Sequence, residues 1–310
     1  MSALPSNKEE YRKLCETEGE NIPLFLQYWW WETVCYGKEW DVLMVCDGDS
    51  VLGALPYVIA RKMGFRFVLQ PQLTQYCGPW LRRQDDQATF DSLVAQLRGL
   101  RYHFLQFNLS PAVSRLVLSP DFEVTPRRTL RIDDISDPDK VFKGFDRRKR
   151  QKPIVKAEQE LEWVHHVTPR QFAEFHHDYW SRRGQTDMLS VSFIEHVVSC
   201  AMERGHGFLS GLCDSQGRLH GASFDVYDSH EAHALMSALG KDHHPGTRPL
   251  LFWKSISRYS TLTQMFDFEG SMDPGIAYSY ELYGAKPVDF FQITHCRAPL
   301  VRMLMKFKRR

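Results

Sequence analysis

The chain has 310 residues, enough for one large domain or two ordinary ones with a sizeable buried core. Hydrophobic residues make up 43% and charged residues 25%, the balance of a globular chain in water rather than a disordered or membrane-embedded one. A formal net charge of +1 excludes a protein that binds nucleic acid with its whole surface and leaves only local basic patches for that role.

The first third alternates helix and strand. Leu24 to Tyr36 reads as a helix carrying Trp29, Trp30 and Trp31. Asp41 to Cys46 and Val51 to Arg61 read as strands joined by a hairpin turn at Asp47-Gly48-Asp49. Phe65 to Leu69 is a further strand, followed by the loop Tyr76-Cys77-Gly78-Pro79-Trp80, whose Cys77 is expected to be exposed. An amphipathic helix from Gln87 to Leu100 leads to strands at Tyr102 to Asn108 and Phe122 to Ile132. The polar, Pro-bearing stretch Asp133 to Pro138 is the best linker, which divides the chain into residues 1–135 and 136–310.

Beyond it, Lys140 to Glu160 reads as one charged helix, Leu161 to Val167 as a strand, and Pro169 to Arg183 and Ser192 to Arg204 as helices. Gly207 to Cys213, Leu219 to Tyr227 and His230 to Ala238 form an antiparallel meander turned at Asp214 to Gly217. A helix from Arg248 to Thr261 then leads to a strand at Met265. The fold class is α+β, with helices flanking mostly antiparallel mixed sheets.

The segment Phe266 to Pro287 reads FDFEGSMDPGIAYSYELYGAKP. Period-two alternation sends Phe266 and Phe268 into a core and sets Asp267 and Glu269 on the opposite face, with Gly270 breaking the strand. Asp273 suits an N-cap, Pro274 the first helical position and Gly284 the residue past the helix end. Ile276, Tyr280 and Tyr283 share one helical stripe; Tyr278 lies off it.

This segment resembles the C-terminal signature of the GNAT acyltransferase superfamily, in its Fem-type branch of peptidoglycan-bridge aminoacyltransferases. The matching residues are Phe266 to Ser271, Gly275-Ile276 and Tyr283-Gly284-Ala285, with a second match at Arg147-Arg148-Lys149-Arg150 and Lys156-Ala157. The resemblance implies tandem GNAT-like domains, the first degenerate, and an N-acyltransferase. That enzyme moves an acyl or aminoacyl group to an amine of a cell-envelope, lipid or polysaccharide precursor. Such chemistry needs a base for the amine's proton and a site for the activated donor. Glu269 or Asp267 is the expected base, and Tyr278 an acid or positioning group.

Acetyl-CoA-dependent members hold pyrophosphate with a glycine-rich loop opening a helix, where backbone N–H groups and the helix dipole favour anions. The equivalent stretch, Lys241 to Pro249, has the single glycine Gly246, an N-cap in Thr247 and a cationic rim of Lys241, His243, His244 and Arg248. Lys241, His244, Gly246, Thr247 and Arg248 are the expected anchor for acyl-CoA. Fem-type relatives lack the loop and use aminoacyl-tRNA, the alternative donor; a non-catalytic scaffold on the same fold is a third reading. The run Arg147 to Lys152 suits RNA phosphate, anionic lipid or a nucleotide, or is a solvated helix face.

The tail sets Arg297, Arg302, Lys306, Lys308, Arg309 and Arg310 around Leu300, Val301, Leu304 and Phe307, a pattern for packing or for peripheral membrane contact. Seven scattered cysteines without a CxxC pair, and charged residues Lys8 to Arg12 where a signal peptide would be apolar, set the expectation of a cytoplasmic protein, peripheral to the inner membrane face at most. No metal site is expected: His165-His166, His176-His177 and His243-His244 are adjacent pairs, and His230 and His233 point oppositely on a strand.

Overall fold

A computed structural model describes residues 7–185, 188–270 and 272–308, with side chains only as far as 303. In chain order the elements are α1 (Lys8–Glu18), α2 (Tyr28–Val34), β1 (Glu39–Asp47), β2 (Ser50–Lys62), β3 (Phe65–Leu69), β4 (Trp80–Leu81), α3 (Gln87–Gly99), β5 (Phe104–Asn108) and β6 (Glu123–Ile132). There follow α4 (Pro138–Gly144), α5 (Lys152–Glu160), β7 (Glu162–Val164), α6 (Pro169–Arg182), α7 (Val191–Glu203), β8 (Gly207–Cys213), β9 (Leu219–Tyr227) and β10 (Glu231–Leu239). The last are α8 (Thr247–Tyr259), β11 (Met265–Asp267), α9 (Pro274–Glu281), β12 (Lys286–Cys296) and α10 (Pro299–Lys308). Among the described residues no helix is long and apolar enough to cross a membrane.

The chain divides into two compact units, Met1–Arg127 with Asp289–Arg310, and Arg128–Val288. The division therefore falls at 127/128 rather than at 135/136, and the end of the chain returns to the first unit. Strand pairing is the reason: β12 runs antiparallel to β5, from Gln292 opposite Asn108 to Cys296 opposite Phe104. In the first unit the strand order is β1-β2-β3-β5-β12, with β4 on β2. Its core holds Tyr11, Trp30 and Trp31, and Tyr76, Cys77 and Trp80 are buried in it too. Cys77 is thus no exposed nucleophile; burial drives its thiol well above the ordinary range. In α10, Val301 is buried while Leu300 and Met303 are about half exposed, and the side chains of Leu304, Lys306, Phe307 and Lys308 lie outside the described residues, as do Arg309 and Arg310.

The second unit orders its strands β6-β11-β10-β9-β8-β7, antiparallel throughout except for the parallel pair β10/β11. One core fills the space between the sheet and α8, with Leu250, Phe252, Ile256, Tyr259, Phe266, Phe268 and Tyr283 all buried. The charged helix read at Lys140 to Glu160 is broken in three. Phe145 turns extended and buries its ring, and Asp146 caps a π-helical turn, Arg147–Gln151, by accepting from the N–H groups of Arg148 and Lys149.

Asp225 on β9 is fully buried and accepts a 2.6 Å hydrogen bond from Ser255 of α8. Burial pushes its carboxyl up to about 7, against the pull of Ser255 and Arg258. The unfolded group releases its proton near the ordinary carboxylate range, so stability falls as pH rises from there to about 7 and stays lowered above it. Asp225→Asn should therefore raise stability above pH 7 by up to about 4 kcal/mol, with little change at pH 4, as read from denaturation midpoints at the two pH values.

Candidate active site

β10 and β11 pair at only three positions, Glu231 with Met265, Ala232 with Phe266 and His233 with Asp267. β10 continues to Leu239 along β9 while β11 stops at Asp267, so the sheet opens into a notch beside the second half of β10. Two local devices shape it. The first is a bulge between His233 and Met236, whose partners on β9, Val226 and Phe224, are two residues apart. The extra residue keeps His233 and Met236 on one face and turns Ser237 to the other, toward α8. The second is the exit of β11. Glu269 has a φ of +57°, and a side chain on Gly270 would meet the Thr129 Cα at 2.3 Å and the Arg128 carbonyl at 2.6 Å. Backbone passes so close there that only glycine fits, which fixes the direction of Glu269.

The sequence pairing of Asp267 with Glu269 holds, but around a residue that alternation alone did not single out. The His233 side chain is 4% exposed, with Nδ1 3.1 Å from Glu269 Oε1 and Nε2 3.7 Å from Glu231 Oε2. Asp267 is fully buried, and its Oδ1 accepts from the Thr129 hydroxyl and, at 2.6 Å, from the Glu269 N–H. Arg131 on β6 stands 3.6 Å from Glu231. Burial raises the carboxyls of Glu231, Asp267 and Glu269, and the His233 cation pulls each back. Burial alone would lower His233; the carboxylates of Glu231, Glu269 and Asp267 outweigh it and hold the imidazolium up to about 10.

Glu231, His233 and Asp267 also bring ligand atoms within 4.8 Å of one another. Both ring nitrogens of His233 face carboxylates, which makes the cluster an ion network, and the same three residues could hold a cation if the ring gave up its proton.

Exposure separates the two expected bases. Asp267 has no surface, whereas the Glu269 side chain keeps 16%, so only Glu269 can meet a ligand. Asp267 orients it. A second tyrosine of α9, Tyr280, lies deeper than Tyr278. Its ring stacks on Phe268 at 4.9 Å; burial raises its phenol, Arg248 opposes the rise, and Glu269 and Asp267 add to it. Tyr278 is half exposed instead and accepts a 2.9 Å hydrogen bond from Lys149. The stripe is also shorter than its spacing indicates: Tyr280 and Tyr283 pack on Phe252 and Phe268, but Ile276, in the first turn of the short α9, faces solvent.

The expected donor residues are not gathered into one cradle. Gly246, not Thr247, is the N-cap of α8; Thr247 is fully buried, and its hydroxyl donates to the His244 carbonyl at 2.7 Å. Three N–H groups of this stretch are engaged: His244 donates to His220 Nδ1, Gly246 to His244 Nδ1 and Thr247 to the His244 carbonyl. Gly246 is pressed against α5, where a Cβ would lie 2.4 Å from the Pro153 carbonyl. Lys241 is exposed. Arg248 turns away from this loop into the notch, donating to Ser237 Oγ at 2.8 Å and to the Tyr179 hydroxyl at 3.1 Å.

No known family pattern matches the sequence, and no curated protein matches it closely. Solved structures do match. FemX superposes with a TM-score of 0.70 at 11% identity over 98% of this chain and 99% of its own. The C-terminal domain of a putative lysylphosphatidylglycerol synthetase from Agrobacterium fabrum gives 0.60 at 9%, covering 96% and 95%. L-PGS from Bacillus licheniformis gives 0.58 at 13%, covering 97% and 96%. With its parallel β10/β11 pair parting at the acid cluster, this chain has a GNAT-like fold of the Fem type.

Proposed function

We propose that the second unit is an N-acyltransferase that moves an acyl or aminoacyl group from an activated ester or thioester to an amine. The observation that carries this reading is Glu269, a carboxylate with raised proton affinity, held by His233 and Asp267 at the mouth of the notch. The acceptor ammonium would lose its proton to Glu269, and the nitrogen would attack the acyl carbonyl. The C–N bond forms, the bond to the leaving oxygen or sulfur breaks, and the leaving group ends as the protonated alcohol or thiol. The attacking nitrogen gives up its second proton as the adduct collapses, and Tyr280 would pass it to the leaving group.

For the donor, the engaged N–H groups ahead of α8 speak against the acyl-CoA diphosphate expected there. Exposed Arg147, Arg148, Lys149, Lys152 and Lys156 support the other donor, an aminoacyl ester on RNA. The acceptor is assigned to an amine of a cell-envelope, lipid or polysaccharide precursor, the class that the resemblance of the Phe266 to Pro287 segment implies. The test is a binding titration with acetyl-CoA, a long-chain acyl-CoA and bulk aminoacyl-tRNA. RNA binding should be saturable and fall ~10-fold or more between 50 and 200 mM salt if several phosphates are contacted, while neither thioester binds. Thioester binding weakened by Arg248→Ala would instead restore acyl-CoA, and binding of neither would leave a non-catalytic scaffold.

A further inference from the structure

The notch has two electrically opposite ends. At one, the carboxylates of Glu231, Asp267 and Glu269 outnumber the cations His233 and Arg131. At the other, the half-buried Arg248 guanidinium is held by two neutral hydroxyls, those of Ser237 and Tyr179, and among the described residues it has no carboxylate partner. A half-buried cation without a counter-ion is costly, because hydroxyl dipoles replace only part of its hydration. The rings around it add to the site without neutralising it. The guanidiniums of Arg182, Arg183 and Arg248 lie 5.9, 5.5 and 6.0 Å from the Tyr179 ring, and Arg182 is already paired with Asp178.

We infer that the acceptor is an amine that also carries an anionic group, carboxylate or phosphate, with the ammonium at Glu269 and the anion on Arg248. The inference rests on the acyl-transfer reading and adds to it the acceptor's charge pattern. His233 and Ser237 are four residues apart on β10 and face opposite sides of it, so a ligand that meets both Glu269 and Arg248 passes through the notch and carries its two charges several bonds apart. The Tyr280 phenol feels both ends: Arg248 lowers its proton affinity, and Glu269 and Asp267 raise it.

Ligand-observed NMR titration of the whole protein with butylamine, 4-aminobutyrate and O-phosphoethanolamine tests this. At least one amino-anion should bind ~10-fold or more tightly than butylamine, the gain of one charge-assisted contact. Preference for 4-aminobutyrate identifies a carboxylate acceptor, and preference for O-phosphoethanolamine a phosphate one. Arg248→Met should abolish the advantage while leaving butylamine affinity unchanged, and Arg248→Lys should keep part of it. Equal affinity for all three amines overturns the inference, as does an Arg248→Met variant that weakens butylamine equally. If butylamine binding is lost in Glu269→Gln while Arg248 confers no preference, only this inference falls. If no amine binds the wild-type protein, the acyl-transfer reading falls with it.

Discussion

Glu269→Gln is expected to lower turnover by ~10²- to 10⁴-fold, the range that a positioned general base contributes. The substitution keeps the shape of the side chain and its ability to accept from His233, so the loss would be one of proton affinity rather than of fold. KM for the acceptor should change far less than kcat if the amine's remaining contacts persist. The pH profile gives the sharper readout. Burial raises the Glu269 carboxyl and His233 lowers it again, so the wild-type rate should rise with pH through a value above the ordinary glutamate range. That acidic limb should vanish in the glutamine variant. Asp267→Asn is a different experiment, because Asp267 has no surface and accepts from Thr129 and from the Glu269 N–H. Its loss should appear as a misplaced base: lower kcat with the acidic limb retained. Equal rates for Glu269→Gln and the wild type would remove Glu269 from the chemistry and leave the cluster as an ion network that ties β10 to β11.

The local signals in Phe266 to Pro287 were legible because each rests on near neighbours in the chain. Phe266 and Phe268 go inward by simple alternation, and Asp273 caps α9 by accepting from Gly275 and Ile276. The meander of β8, β9 and β10 was equally readable from its turns. What stayed hidden depends on contacts far apart in sequence. His233 pairs with a glutamate 36 positions on, and nothing around it distinguishes an imidazole in an acid cluster from any strand histidine. Ile276 is exposed although the helical stripe sends it inward, because α9 is short enough that its first turn overhangs the core. The loop ahead of α8 reads as an anion anchor from composition alone. Within it His244 Nδ1 accepts from the Gly246 N–H, His243 Nδ1 donates to the Gly240 carbonyl, and His220 reaches in from β9 to take the His244 N–H. The π-helical turn at Arg147–Gln151 likewise follows from Phe145 seeking the core, a tertiary demand that overrides the helical pattern around it.

His233→Gln should cost ~3–5 kcal/mol at pH 8, the usual penalty for removing one partner from a buried ion network. The wild-type ring is held up to about 10 by carboxylates, so its contribution is small near pH 4, grows as those carboxyls ionise, and is lost as pH rises toward about 10. Without it, Glu231, Asp267 and Glu269 face one another with Arg131 as the nearest cation, and each carboxyl is raised further. A carboxyl raised in the folded state weakens folding as pH climbs past its unfolded value, so the deficit of the variant should be small at pH 4 and grow toward pH 8. Urea denaturation at the two pH values measures this directly. A deficit of the same size at both would mean that His233 matters for its volume rather than its charge. The double variant His233→Gln with Glu269→Gln should recover part of the stability at pH 8, because it removes a cation and a carboxylate together. Recovery of stability without recovery of turnover would separate the two roles of this cluster: the imidazolium holds the strands against carboxylate repulsion, and Glu269 takes the proton.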